Sequence, residues 1–485
     1  MKNKKTYIIF STLIIIFSVC IVDIVLQNDS FSAIKIGDYI LHNGIDFVEH
    51  FNYDNTLVWH NSRWLFNIII SLFHSSFGLY GVYYFTMIMN AIIGLTIFNC
   101  LLKRKNNIIL SFFISIFTLY LTAPYVTGRA QIVSFLLFFL EIYSIEQLID
   151  TNKKRYIVYI VLSSILIANI HTTVWPMTMV LFIPYFLEYF LSKTKLMKKT
   201  KSFYLNISNI KFLLITFILV CFSGLLTPLG STPYTYMFKT MSGISTKFIS
   251  ELQMPNIFTN HRFLIITIIL ILLFVKNKNK IKISDLFMII GLFIMSIMAG
   301  RNIGFLYYIG AFIIVRLITQ TLSKHRDSIE KITDRLNKVN YPFIFISIVI
   351  ISASLYNFSL NYNKNLVDEK EYPVGASNYI LDNLDLNNIR IYNGFHAGSY
   401  LEYRGIKVFL DSRSEVYTKE FNNTTILDDF YDINYGKKSY YEVFKKYNFT
   451  HILVYKTEII NQYIQYDSNY KKIYEDDNFI LYEKI

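Results

Sequence analysis

Between its apolar runs the sequence carries a set of side chains suited to moving protons and holding anions. The first long polar stretch supplies Asp29, Asp46, Glu49, His60 and Arg63. Short turns further on supply Arg129 with Gln131, His171 with Asn169, and Arg301 with Asn302, and a second long stretch adds Glu251. Carboxylate and imidazole groups exchange protons, and guanidinium groups bind anions by charge-assisted hydrogen bonds. Asp29 stands out among the acids because it directly follows the first apolar run. Arg129, His171 and Arg301 fall at or near the ends of apolar runs, where an ionisable group is costly unless it is paired or functional. The nucleotide and metal motifs are missing: there is no phosphate-binding glycine loop, no zinc-ligand spacing and no serine elbow. That weakens an ATP-driven transporter reading.

The elements that must position these residues are membrane helices. Of 485 residues, 53% are hydrophobic and 17% charged, and the apolar residues come in solid runs rather than at the periods of a soluble fold. Runs at 7–26, 79–102, 108–123, 132–149, 156–170, 174–191, 212–227, 263–275, 286–300, 303–322 and 341–357 predict about eleven transmembrane helices. The first run follows three lysines and resembles a signal peptide, but it is long for one and no small-residue cleavage site follows, so it reads as an uncleaved helix. The 132–149 and 156–170 runs are short or carry Glu141 and Glu146, which leaves their limits open.

The net charge of +13 is a topology signal rather than a nucleic-acid patch. Residues 358–485 hold 15 Lys and Arg against 19 Asp and Glu. That leaves 32 basic and 15 acidic residues of the chain's 47 and 34 in residues 1–357. The excess sits in short loops, at Lys103-Arg104-Lys105, Lys153-Lys154-Arg155, 193–201, 276–282 and 324–338, all on one side of the expected topology. Positive loops stay in the cytoplasm, so the amino terminus reads as inside and the carboxyl terminus as outside, with no nucleic-acid partner. The opposite face carries the long loops 28–78 and 228–262. In the first, 32–41 and 61–73 have helical periodicity and read as helices on the membrane surface. Cys20, Cys100 and Cys221 lie in apolar runs and suggest no disulfide framework.

The transmembrane domain therefore reads as residues 1–357. Residues 358–485 read as a small extracytoplasmic α/β domain able to fold alone. Helices are expected at 374–384, 440–447 and 457–465, and strands at 389–392, 408–410, 452–455, 472–474 and 479–482.

The stretch Asp29-Ser-Phe-Ser-Ala-Ile-Lys-Ile-Gly37, then Asn43-Gly44-Ile45-Asp46 and Trp59-His60-Asn-Ser-Arg63-Trp64-Leu65, resembles the first outer loop of bacterial membrane proteins related to the GT-C glycosyltransferases. Gly128-Arg129-Ala130-Gln131 resembles their Arg-Pro-Gln element. Ala168-Asn169-Ile170-His171, Pro228-Leu229-Gly230, Glu251-Leu-Gln-Met-Pro255, Gly300-Arg301-Asn302, Gly398-Ser-Tyr-Leu401 and Leu410-Asp411-Ser-Arg413 follow in similar order. The resemblance implies transfer of a sugar from a polyprenyl-phosphate carrier to a cell-envelope glycan or protein acceptor at the outer face of the bacterial plasma membrane. It gives Asp29 the place of the family's catalytic acid, as base or metal ligand, and it leaves a divalent metal open as cofactor. Arg129 and Arg301 would hold the donor phosphate; Asp46, Glu49, His60, Arg63, His171 and Glu251 are further candidates for the site. Two departures stand out: Asp29 has no second carboxylate beside it, and Ala130 replaces the expected proline. A polymerase or ligase of lipid-linked glycans, or a non-enzymatic transporter of them, remains the alternative.

Overall fold

The computed structural model describes residues 2–104, 106–194, 203–204, 210–243, 245–256, 258–278, 280–323 and 341–485. Lys105, residues 195–201 and the basic segment 324–338 lie outside these residues. The described chain is mostly helical, with a small sheet near its carboxyl end. It divides into two compact units. A helical unit comprises Met1–Asp23, Tyr84–Tyr234 and Ile249–Asn363; a sheet unit comprises Ile24–Tyr83, Thr235–Phe248 and Lys364–Ile485.

Among the described residues, six helical stretches are long and apolar enough to cross a membrane: Tyr80–Lys103, Ile108–Tyr125, Ala130–Thr151, Thr172–Ser192, Gly300–Ser323 and Ile344–Tyr362. The other apolar runs are also helical, at Lys2–Cys20, Arg155–Ile170, Lys211–Ser223, His261–Lys276 and Ile283–Met298. Many turn apolar side chains outward, such as Ile268, Ile271, Leu272 and Val275, or Ile344, Phe345 and Ile348. Such stripes need hydrocarbon around them, and the chain is a membrane protein. The expected continuous helix over 174–191 is interrupted. Pro176 starts a short helix at Pro176–Val180, and Pro184 sits in the first turn of Ile183–Ser192, because proline lacks the N–H an inner turn requires.

Of the two acids in the Ala130–Thr151 helix, Glu141 is buried with no hydrogen-bond partner on either oxygen, whereas Glu146 is paired. Glu146 lies 2.6 Å from Arg104 and 3.1 Å from Lys282, accepts from the Tyr185 hydroxyl at 3.1 Å and also meets Arg316, which reaches Asp285 at 2.5 Å. The cost of burying these charges is offset by mutual attraction and hydrogen bonds, and removing one partner would strand the rest.

In the sheet unit, Ile391–Asn393 pairs parallel with His451–Tyr455. That strand pairs antiparallel with Phe479–Lys484, and Phe479–Lys484 in turn with Tyr470–Glu475. Strand alternation feeds two cores. Ile452, Val454, Ile480 and Tyr482 join one with Ile36, Ile40, Leu57 and Trp59 from the first polar stretch; Leu453, Phe479 and Leu481 join the other with Ala376, Ile380 and Val408. Residues 358–485 thus share a core with residues 36–59, so the carboxyl-terminal segment cut out alone would expose apolar surface.

The two helices expected in the first polar stretch are present as Asn28–Asn43 and Trp64–Phe77. They cross closely at Gly37, where any Cβ would strike the Asn67 backbone and come within 2.8 Å of the Ser71 Cβ. The expected strand at 408–410 is reduced to a single parallel bridge between Val408 and Asn52. Asn393 takes over its ladder, donating from its amide to the Leu410 carbonyl at 2.8 Å and accepting from the Phe409 N–H at 2.8 Å, while Asn52 donates to the Phe409 carbonyl at 2.6 Å. The helices expected at 374–384, 440–447 and 457–465 are present as Val374–Asn383, Tyr440–Tyr447 and Ile459–Ile464, and further helices lie at Phe395–Tyr403 and Ile426–Asn434.

One carboxylate makes the sheet unit acid-sensitive. Burial pushes the Asp429 carboxyl up, but hydrogen bonds from Lys438 (2.5 Å), Lys446 (2.6 Å), Tyr447 (2.7 Å) and Thr425 (3.0 Å) outweigh it and hold the pKa at about 2. A folded-state pKa below the ordinary 3.8 contributes stability that is complete above about pH 4 and disappears as pH falls through about 2. Asp429→Asn should therefore flatten the acid limb of a thermal-midpoint-against-pH curve and cost about 1.5–3 kcal/mol at neutral pH. An unchanged acid limb would contradict this assignment.

Candidate functional site

The candidate residues separate into two groups, one in each unit. In the sheet unit Asp29 is the second residue of the Asn28–Asn43 helix, where a negative charge suits the unpaired N–H groups of the first turn. Its carboxylate lies 3.4 Å from the Arg63 guanidinium, and the two side chains are 16% and 15% exposed. Its own N–H donates to the Asn28 side chain at 2.8 Å.

His60 and Arg63 lie in the same neighbourhood through Tyr236, a residue not singled out in the sequence. Tyr236 is buried, donates from its hydroxyl to Glu415 at 2.6 Å, and interacts with Ser62 and Arg63. The His60 ring packs edge-on to Tyr236 and Phe421 with centroids 6.0 and 5.6 Å apart. Burial and, secondarily, the Lys239 charge lower its pKa, which favours neutral imidazole. Asp29, His60, Arg63, Tyr236 and Glu415 thus make a wall that can accept protons, donate hydrogen bonds and pack aromatic faces. No short-range pattern marked Tyr236 or Glu415, because both reach the wall from segments more than 170 residues away.

Asp46 and Glu49 have other company. Asp46 accepts from Tyr39 at 2.7 Å and pairs with His50 at 2.8 Å, and its backbone carbonyl accepts from Asn61. Burial raises its pKa, but the Tyr39 and His50 hydrogen bonds prevail and lower it, while the Tyr39 hydroxyl is pushed up to about 12 chiefly by Asp46. Glu49 is buried and takes Arg413 on both oxygens, at 2.6 and 3.0 Å. Arg413 also bonds Asp411 through Nε at 3.0 Å and Nη2 at 2.5 Å, and lies 3.5 Å from Glu402. All four side chains are buried. Burial raises the Asp411 pKa but Arg413 and its hydrogen bonds lower it overall; burial raises Glu49 and holds Glu402 well above the carboxylate range, so Glu402 favours its protonated form. Gly398 permits this arrangement, since a Cβ there would strike the Leu410 backbone and lie 2.9 Å from the Asp411 Cα.

In the helical unit three short sequence elements meet. Arg129, just before the Ala130–Thr151 helix, bonds both oxygens of Glu251 at 2.7 Å. Gln131 donates to the Arg301 carbonyl at 3.0 Å, and the Gly300 N–H donates to the Gln253 carbonyl at 3.0 Å. Arg301 sits in a one-turn Gly300–Asn302 helix leading into Ile303–Ser323. His171 caps the Arg155–Ile170 helix and meets the Ser134 hydroxyl at 2.8 Å.

Asp29 has the Arg63 guanidinium 3.4 Å away as its cationic neighbour, and among the described residues no group of three or more His, Cys, Asp or Glu converges. By sequence, the chain matches no protein-family model and no curated protein.

Proposed function

We propose that this protein is a membrane glycosyltransferase of the GT-C type. In this reading it crosses a bacterial plasma membrane about eleven times, with its amino terminus inside and its carboxyl terminus outside. It moves a sugar from a polyprenyl-phosphate carrier to a cell-envelope acceptor at the outer face. Asp29 accepts the proton of the acceptor hydroxyl. The acceptor oxygen bonds to the anomeric carbon, the bond from that carbon to the carrier phosphate oxygen breaks, and the phosphate leaves with the electron pair. Arg129 and Arg301 are assigned the carrier phosphate.

The observation that carries this reading is the convergence of Gly128–Gln131, Glu251–Pro255 and Gly300–Asn302. Short elements up to 172 residues apart share one polar cluster beside apolar helices, which is where ionisable groups tend to be functional. Comparing envelope glycans of cells with and without the protein by mass spectrometry should show the loss of one sugar residue from one glycan. Loss of polymer length with repeat units intact would favour the polymerase reading, and accumulation of complete lipid-linked units the transporter. For orientation, a reporter active only outside the cytoplasm should work when fused after Ile485 and fail when inserted at Lys280; activity at Lys280 would overturn the proposed topology.

A further inference from the structure

Arg129 commits Nη1 to both oxygens of Glu251, but another arginine of the helical unit is placed differently. Arg262 lies in the first turn of the His261–Lys276 helix, half-buried, with its guanidinium 4.8 Å from the centre of the Tyr120 ring. Its Nη1 is buried with no hydrogen-bond partner. It borders an open cleft of about 480 Å³ whose polar lining is Asn256, Thr259, Asn260 and His261, with no carboxylate among the lining residues. Amide, hydroxyl and imidazole groups beside a guanidinium make a wall able to donate hydrogen bonds, and the helix N-terminus adds its positive end. Tyr307 stands close enough to interact electrostatically with Arg262; it is 1% exposed, and its hydroxyl is buried with no partner. A buried donor without a partner is costly unless an acceptor reaches it. Down the same helix, Ile265, Ile268 and Leu272 form an exposed apolar stripe beginning one turn past the cleft.

We propose that the cleft beside Arg262 binds the phosphate of an anionic amphiphile, with the guanidinium and neighbouring donors on the phosphate oxygens and the ligand's hydrocarbon along the Ile265–Ile268–Leu272 stripe. This is a binding site in its own right and does not depend on sugar transfer.

The test uses the purified full-length chain in neutral detergent, with dioleoyl phosphatidic acid, dioleoylglycerol and inorganic phosphate as separate probes, and native mass spectrometry together with thermal shift as readouts. Phosphatidic acid should bind. Arg262→Gln should weaken it about 10- to 100-fold, as expected for a lost charge-assisted bond, and Arg262→Lys should restore part of the affinity. Asn256→Ala, at a surface turn, should weaken binding severalfold without changing the thermal midpoint of the lipid-free protein. It decides the matter if Arg262→Gln does not fold. Equal binding of dioleoylglycerol, or unchanged affinity in both Arg262→Gln and Asn256→Ala, would overturn the site. Inorganic phosphate binding as tightly as the lipid, with the same Arg262 dependence, would overturn the amphiphile and leave a soluble phosphate ligand. All these outcomes are read without a sugar donor, so they stand whether or not the protein transfers sugar.

Discussion

Asp29→Asn is expected to lower sugar-transfer turnover by about 10²- to 10⁴-fold while the protein remains folded. The substitution separates two roles. A carboxylate in the first turn of a helix stabilises that helix through the exposed N–H groups, an effect of about 0.3–1 kcal/mol. Its pairing with Arg63, at 3.4 Å, adds a modest attraction. Asparagine keeps the size and can still accept hydrogen bonds, so if Asp29 were only structural, the thermal midpoint would shift slightly and turnover would follow expression level. If Asp29 takes the acceptor's proton, turnover collapses with little change in stability. Arg63→Gln should give an intermediate result, since it leaves the carboxylate but removes its positioning partner. Wild-type turnover in Asp29→Asn would rule out the base assignment and pass attention to Asp46.

Replacing Arg413 with methionine should cost about 3–5 kcal/mol in the sheet unit. Methionine nearly matches the length and keeps the packing against Phe51 and Trp59, over whose rings the guanidinium lies at 5.5 and 5.2 Å. What it cannot supply is the positive charge shared by Glu49, Asp411 and Glu402. The deficit should shrink as pH falls, because protonating Glu49 and Asp411 removes the stranded charges. Glu402→Gln mimics a protonated carboxyl and should shift thermal unfolding far less than Arg413→Met. Equal shifts in the two variants would mean that the cluster is held by packing rather than charge.

The sequence was most informative where neighbours along the chain decide structure. Every apolar run is helical over most of its length, because a solid apolar run needs no distant partner to explain it. Among the described residues, six of these stretches meet the length and hydropathy needed to cross a membrane on their own. Prolines at 176 and 184 were visible, but that they break the 174–191 run depends on how its turns are packed. The 408–410 stretch has the composition of a strand and lost that state to Asn393 and Asn52, whose amides compete for its backbone. Ion clusters were least legible. Glu49 and Arg413 are 364 residues apart, and Glu146 with Lys282 are 136 apart; each looked like a loop acid or an interruption of an apolar run until its partner came beside it. The sequence named the candidate residues only as a set of polar groups. What could not be read was its division, with Asp29, His60 and Arg63 joining Tyr236 and Glu415 in one unit, and Arg129 joining Glu251 in the other.

The most direct measurement is the reaction itself. Purified protein in detergent is given a panel of polyprenyl-phosphate sugars and an envelope-glycan acceptor, and products are identified by mass spectrometry. The account predicts that one donor is consumed, that polyprenyl phosphate appears in equal amount, and that the acceptor gains the mass of a single sugar. Transfer of whole repeat units, or no consumption of any lipid-linked sugar by folded protein, would contradict it.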